Sequence, residues 1–287
     1  MFQYAAGKAL AERHGVRLKL DLNGFRKYSQ RPFSLDRLSV PEAYGEPISE
    51  KSTSYFVRGL WIQRINRVLD SVRLPKLSIV LGQYFEPHFQ FDPEFELLDS
   101  NMSLFGYFQS ERYFSSIADD LRGWFAPAEP LGAAAAAALQ RIEASRLPVS
   151  MHIRRGDYLK PVTAEVHGIL DGSYYRRAAN RIESALGGEV DYFVFSDDAA
   201  AAEQMLDFLP NARLNHIRGD PDRPWEDMAL MARCRHHVIA NSSFSWWGAW
   251  LNQSRDKIVI APRAWFVSTE LSKKDTNDLY PAGWVLI

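Results

Sequence analysis

The chain is short of cysteine, of long apolar runs and of net charge, and each shortage closes off a class of protein. Cys234 is the only cysteine in 287 residues, so no intrachain disulfide can form and nothing points to an oxidising compartment. No stretch approaches the ~20 consecutive apolar residues that cross a bilayer, and the first residues lack the basic-then-apolar layout of a signal peptide. With 34 basic against 35 acidic side chains the formal charge is −1, so no global field exists to hold a polyanion such as duplex nucleic acid. No His/Cys cluster has zinc spacing, no glycine-rich phosphate loop is present, and no Gly-x-Ser-x-Gly elbow occurs; hydrolase and kinase chemistry lose support. The expectation is a cytoplasmic protein without a transmembrane segment, which binds no nucleic acid and meets any anion through a local cluster.

What is present is the balance of an ordinary globular protein, 46% hydrophobic and 24% charged, at a length suited to two α/β halves. Residues 1–11 read as a helix in mid-course, with no strand or capping residue before it. Residues 16–21 alternate like a strand, and 23–93 read as loops and short helices. Residues 102–110 read as a strand, followed by a helix with Tyr113, Phe114, Ile117, Leu121 and Trp124 on one stripe. The alanine run 133–138 opens a helix near a domain junction. Beyond it, strands at 149–153, 192–195, 213–217, 237–240 and 257–261 alternate with helices at 174–186, 199–209, 225–234 and from Ser243. That alternation predicts a parallel sheet covered on both faces. Two domains are expected, at 1–130 and 146–287.

In such sheets ligands sit beyond the carboxyl ends of the strands, so the residues after each strand carry the chemistry. After Ile153 come Arg154, Arg155, Gly156 and Asp157. Two guanidiniums there can grip a diphosphate, Gly156 lets the backbone turn, and Asp157 could hold one arginine. The same pair could instead make surface salt bridges, and His152 alone is more often a core residue than a catalyst. After Phe195 come Ser196, Asp197 and Asp198, suited to a ribose or base edge or to a plain helix cap. After Ala240 come Asn241, Ser242, Ser243 and Ser245, hydroxyls and amides at a helix start that suit an anion. Trp246 and Trp250 lie four apart on that helix, where packing is the commoner use. Asp220-Pro221-Asp222 matches the acidic pair of metal-dependent transferases in form, but Pro at its centre makes it a turn.

Three segments together resemble one family: His152-Ile153-Arg154-Arg155-Gly156-Asp157-Tyr158, then Phe193-Val194-Phe195-Ser196-Asp197-Asp198, then Asn241-Ser242-Ser243-Phe244-Ser245-Trp246-Trp247-Gly248-Ala249-Trp250-Leu251. They are similar to glycosyltransferase family 11, the α-1,2-fucosyltransferases. Leu104-Phe105-Gly106-Tyr107-Phe108-Gln109-Ser110 and Lys257-Ile258-Val259-Ile260-Ala261-Pro262 resemble family segments too.

The resemblance implies a GT-B fold of two facing Rossmann-like domains, the C-terminal one holding GDP-fucose and the N-terminal one presenting the acceptor. It implies inverting, metal-independent transfer of L-fucose to the 2-hydroxyl of a terminal galactose. The acceptor would be an oligosaccharide or lipid-linked glycan in surface-polysaccharide or O-antigen synthesis, met at the inner face of the membrane. No cofactor or metal is expected beyond the donor substrate.

Carried over by position, Arg154 neutralises the β-phosphate, with His152 and Asp157 beside it in the catalytic group. Arg155, Asp197, Asp198, Asn241, Ser242, Ser243 and Ser245 hold the donor. The general base stays open between Asp157 and Glu165. Family members open with a strand and a Gly-Gly-Leu-Gly-Asn-Gln turn directly before Met-Phe-Gln-Tyr-Ala. The expectation is therefore that this first strand and turn lie upstream of Met1.

Overall fold

The computed structural model describes residues 1–22, 25, 32–41, 65, 79, 81–156, 168–267 and 274–287. They divide into two units, Met1–Phe125 with Asp275–Pro281, and Ala126–Lys274 with Ala282–Ile287. No helix among them is long and apolar enough to cross a membrane.

The first unit opens with α1, Phe2–Arg13, which is apolar on nearly every face and buries Phe2, Tyr4, Leu10 and its alanines. Two parallel strands follow, β1 (Gln83–Phe85) and β2 (Ser103–Phe105). Around them Tyr84, Phe95, Phe108 and Tyr113 pack ring against ring at centroid distances of 4.9–6.3 Å. Buried hydroxyls need partners: Tyr84 donates to Asp92 at 2.6 Å, and the Tyr113 hydroxyl accepts from the Asp92 amide at 3.0 Å.

Three expectations for this unit need correction. Residues 16–21 form no strand; Val16 is 42% exposed, and Leu18 folds back toward Gly7 of α1, so the alternation serves helix packing instead of a ladder. β1 falls inside the stretch expected to be irregular, because only three residues are needed once β2 lies alongside. The helix expected after β2 is broken into 3₁₀ turns at Glu111–Tyr113 and Ser115–Ile117 before α2, Ala118–Trp124, since Phe114 leaves helical geometry at φ −140°.

The second unit begins with α3, Ala133–Ala144. Its strands are β3 (Pro148–Ile153), β4 (Asp191–Ser196), β5 (Leu214–Ile217), β6 (His236–Val238), β7 (Val259–Ala261) and β8 (Val285–Leu286). Its crossover helices are α4 (Gly172–Leu186), α5 (Ala199–Met205), α6 (Pro224–Arg233) and α7 (Ser243–Leu251). All neighbouring strands run parallel in the order β5-β4-β3-β6-β7-β8. Counted along the chain within this unit, that is 3-2-1-4-5-6, the doubly wound Rossmann order, and the direction of winding switches between β3 and β6. The α/β class read from the sequence holds. The two-residue β8 was too short to show a pattern, and it forms because β7 offers it an edge.

Alternation along the strands separates two cores. Val149, Met151, Ile153, Tyr192 and Val194 pack with α4 and α5, while Phe193, Phe195 and Ile217 pack with α3 and α6. A polar chain crosses beneath: the Ser150 hydroxyl lies 2.8 Å from His237 Nδ1, and His237 Nε2 lies 2.8 Å from the Asn252 amide. α7 has no glycine at its end. Lys257 Nζ donates instead to the carbonyls of Ala249 and Asn252 at 2.9 and 2.6 Å, placing a cation on the helix C-terminus.

Candidate functional site

The same alternation decides where the residues of the arginine segment go. Val149, Met151 and Ile153 face α4 and α5, so His152 points to the opposite face, where its ring meets Phe244 in the first turn of α7 at 5.7 Å. His152 is only 4% exposed, and its Nδ1 has no hydrogen-bond partner among the described residues. Burial, with the Arg154 charge adding to it, pushes its pKa down to about 3. The imidazole is thus neutral at physiological pH, a polar group held at the switch point with no partner for its Nδ1 among the described residues. Such a group costs folding free energy unless something binds it.

Beyond the strand the two arginines part. Arg154 Nη1 pairs with Asp197 Oδ2 at 2.7 Å, with both side chains about a quarter exposed. The other oxygen of Asp197 accepts the Arg155 amide at 2.9 Å, so one carboxylate just beyond β4 fixes the backbone and the guanidinium at the end of β3. Arg155 lines a cavity of ≈ 370 Å³ with Ser173 and Arg176 of α4 and Gln204 of α5. The sequence had the pair acting together; in the structure Arg154 pairs with Asp197 while Arg155 borders the cavity beside α4 and α5. Gly156 lies in a turn, as expected, and meets a second demand there. A Cβ there would lie 2.6 Å from Asp197 Oδ2, so glycine is required by the close approach of that carboxylate. Asp157, Tyr158 and Glu165 lie outside the described residues.

On the neighbouring strand's side, Ser242 caps α7, its hydroxyl accepting the Phe244 amide at 3.3 Å. Ser243 is exposed in the first turn, whereas Ser245 is buried and donates to the Ser242 carbonyl at 3.3 Å. Asn241, 2% exposed, donates to the Trp265 carbonyl at 3.4 Å. Asp198 caps α5 by accepting the Ala201 amide at 3.0 Å. Trp246 and Trp250 are buried and stack in the core with ring centroids 6.1 Å apart. Asp220 accepts the Asp222 amide at 2.9 Å, the signature of a turn. His152, Arg154, Asp197 and the start of α7 therefore converge, while Ser245 and Asp198 are engaged by their own helices.

Two residues escaped the sequence reading. Tyr175 donates to the His152 carbonyl at 3.1 Å, and Tyr174 donates to the Ile239 carbonyl at 2.7 Å. From one helix they pin both sides of the switch point. The available signal was the burial of two adjacent tyrosines on a helix, since a buried hydroxyl must find an acceptor. Arg154 is the cation, Asp197 its anchor, His152 a neutral polar contact and α7 a helix N-terminus; together they can receive a diphosphate.

Comparison with known proteins agrees with this chemistry. Residues 84–287 match glycosyl transferase family 11. An alpha-1,2-colitosyltransferase of Escherichia coli is 34% identical over 100% of this chain and 94% of its own length. The O-antigen biosynthesis glycosyltransferase WbnK of Escherichia coli is 44% identical over 43% of this chain and 41% of its own. The galactoside alpha-(1,2)-fucosyltransferase 1 of Saimiri sciureus is 26% identical over 54% of this chain and 44% of its own. The chain belongs to glycosyl transferase family 11.

Proposed function

We propose that the chain transfers a 6-deoxy-L-galactose sugar from a GDP-sugar to the 2-hydroxyl of a terminal galactose, with inversion and without a metal ion. The donor is GDP-L-fucose or its 3-deoxy counterpart GDP-colitose. The carrying observation is Arg154, held by Asp197 at 2.7 Å beside the switch point of a doubly wound sheet in a family 11 chain. Colitose stands beside fucose because the relative matched over the whole chain is named for colitosyl transfer. Galactose as acceptor is supported by the name of the alpha-(1,2)-fucosyltransferase relatives, and a surface polysaccharide by that of the O-antigen relative. On this reading the glycan is met at the inner face of the membrane.

In the reaction, the acceptor hydroxyl gives its proton to a general base, for which Asp157 and Glu165 are the candidates, as its oxygen bonds to the anomeric carbon and the bond from that carbon to the β-phosphate oxygen breaks. The electron pair leaves with GDP. Arg154 and the amides at the start of α7 neutralise that charge as it develops, a role otherwise given to a divalent cation. His152, neutral with a pKa of about 3, acts as a hydrogen-bonding partner of the donor and not as a proton donor.

The test is donor turnover with GDP-fucose, GDP-colitose and GDP-mannose in the presence of a chelator. Turnover of one of the first two, unaffected by chelation, is expected. Loss on chelation with recovery on added Mn²⁺ would overturn the metal-independent account. GDP binding without turnover of any GDP-sugar would assign the chain to non-catalytic recognition.

A further inference from the structure

The carboxyl edge of the β1–β2 pair holds a strained turn whose purpose the donor chemistry leaves unexplained. Phe108 sits at φ +54°, a left-handed conformation that a bulky residue adopts only when its surroundings force it. What forces it is Glu86, immediately after β1. One carboxylate oxygen accepts the Tyr107 amide at 2.7 Å and the other accepts the Phe108 amide at 3.1 Å. Gly106 is obligatory there, because a Cβ would lie 2.5 Å from Glu86 Cβ. Its carbonyl accepts the Gln3 side-chain amide at 2.7 Å, so α1 fastens the turn from a further side.

The consequence is a division of two adjacent rings. Phe108 is driven into the aromatic core at 1% exposure, and Tyr107 is held out at 64% exposure. A tyrosine fixed by its backbone in solvent offers a rigid, amphipathic face at little entropic cost. The axial 4-hydroxyl of galactose leaves one face of that sugar with only C–H groups. Such a face stacks on a tyrosine ring while the hydroxyls turn to polar neighbours, of which Gln3 is one.

We propose that Tyr107 is the stacking platform for the acceptor galactoside, with Glu86, Gly106 and Phe108 as its positioning residues. This rests on the glycosyl transfer proposed above, which requires an acceptor sugar. Substituting an exposed ring leaves the fold intact, so the experiment is steady-state transfer to methyl β-D-galactopyranoside by Tyr107→Ala and Tyr107→Phe. The Ala variant should raise the acceptor KM by about tenfold, the worth of one aromatic contact, while GDP-sugar hydrolysis in water is unchanged. The Phe variant should behave as wild type.

Unchanged acceptor KM in Tyr107→Ala would overturn the proposal, as would a Phe variant as weak as Ala. Saturation-transfer NMR with the same galactoside separates this from failure of the functional reading. A wild-type chain that hydrolyses the donor but glycosylates no galactoside sinks that reading. Loss of the NMR signal in Tyr107→Ala would still establish the platform, and a signal unaffected by the substitution would refute it.

Discussion

At the carboxyl edge of the six-stranded sheet, side-chain placement follows from strand alternation; at the edge of the β1–β2 pair it follows from a single carboxylate. β3 sends His152 toward α7, and Asp197 then holds Arg154 and the Arg155 amide. Glu86 accepts the Tyr107 and Phe108 amides and turns one ring inward and the other outward. Both edges use a carboxylate just beyond the adjacent strand as the anchor, and both need a glycine where that carboxylate passes. They differ in what is presented: a cation beside a helix N-terminus in one, an exposed ring in the other. On the roles proposed above, charge handling and shape recognition fall to separate units, and substitutions should separate them in assay.

The largest effect is expected at Arg154. Arg154→Ala should lower turnover by ~100-fold or more, through loss of the group that stabilises the departing diphosphate. Near-normal turnover would remove the donor edge from the comparison. Gly156→Ala should act on the same edge more gently. The added methyl would lie 2.6 Å from Asp197 Oδ2, so the Arg154 pair must shift. A loss of about tenfold in turnover, with circular dichroism unchanged, is the expected signature of such a displaced contact. Full activity would show that Asp197 does not set the position of Arg154.

Glu86→Ala sharpens the other half. It leaves the Tyr107 and Phe108 amides without their acceptor, and because water reaches the exposed Tyr107 amide the cost is about 1 kcal/mol in unfolding free energy. Acceptor KM should rise in parallel while donor hydrolysis stays put. A fall in donor hydrolysis would blur the distinction between the two edges.

The smallest effect is a pH dependence of stability. His152 has a folded pKa of about 3 against an ordinary 6.5, and burial holds His237 well below 6.5 as well. Between those values the unfolded chain binds the protons and the folded chain does not, so stability falls as pH drops below 6.5 and is fully retained above it. Asp227 works in the opposite sense. Burial and the charges of Glu226 and Asp220 raise it from 3.8 to about 6, so its protonation favours the folded state within that window. Burial lowers His236 as well, so three histidines outweigh one aspartate, and the urea midpoint should fall between pH 7 and pH 5. His152→Asn should reduce that fall. An equal or higher midpoint at pH 5 would contradict the buried, neutral imidazole.

Much of the second unit was legible because β4 and β7 are apolar on both faces and α4 and α6 are amphipathic, so period and punctuation agree. Ser242, Asp198, Trp246 and Asp220 took the local roles their residue types favour: two caps, a core ring and a turn. What the sequence hid was pairing across distance. Asp197 as partner of Arg154, Tyr175 on the His152 carbonyl and Glu86 on the Tyr107 amide each join residues at least 21 positions apart. The first unit was less legible for a related reason. Its strands have three residues and its rings pack through 3₁₀ turns, so neither period has room to show.

The central claim is tested most directly by determining the linkage and anomeric configuration of the product made from GDP-fucose or GDP-colitose and a β-galactoside. An α-linked 6-deoxy sugar on the galactose 2-hydroxyl is predicted. A product linked through another hydroxyl, or with the donor's β configuration retained, would contradict the account.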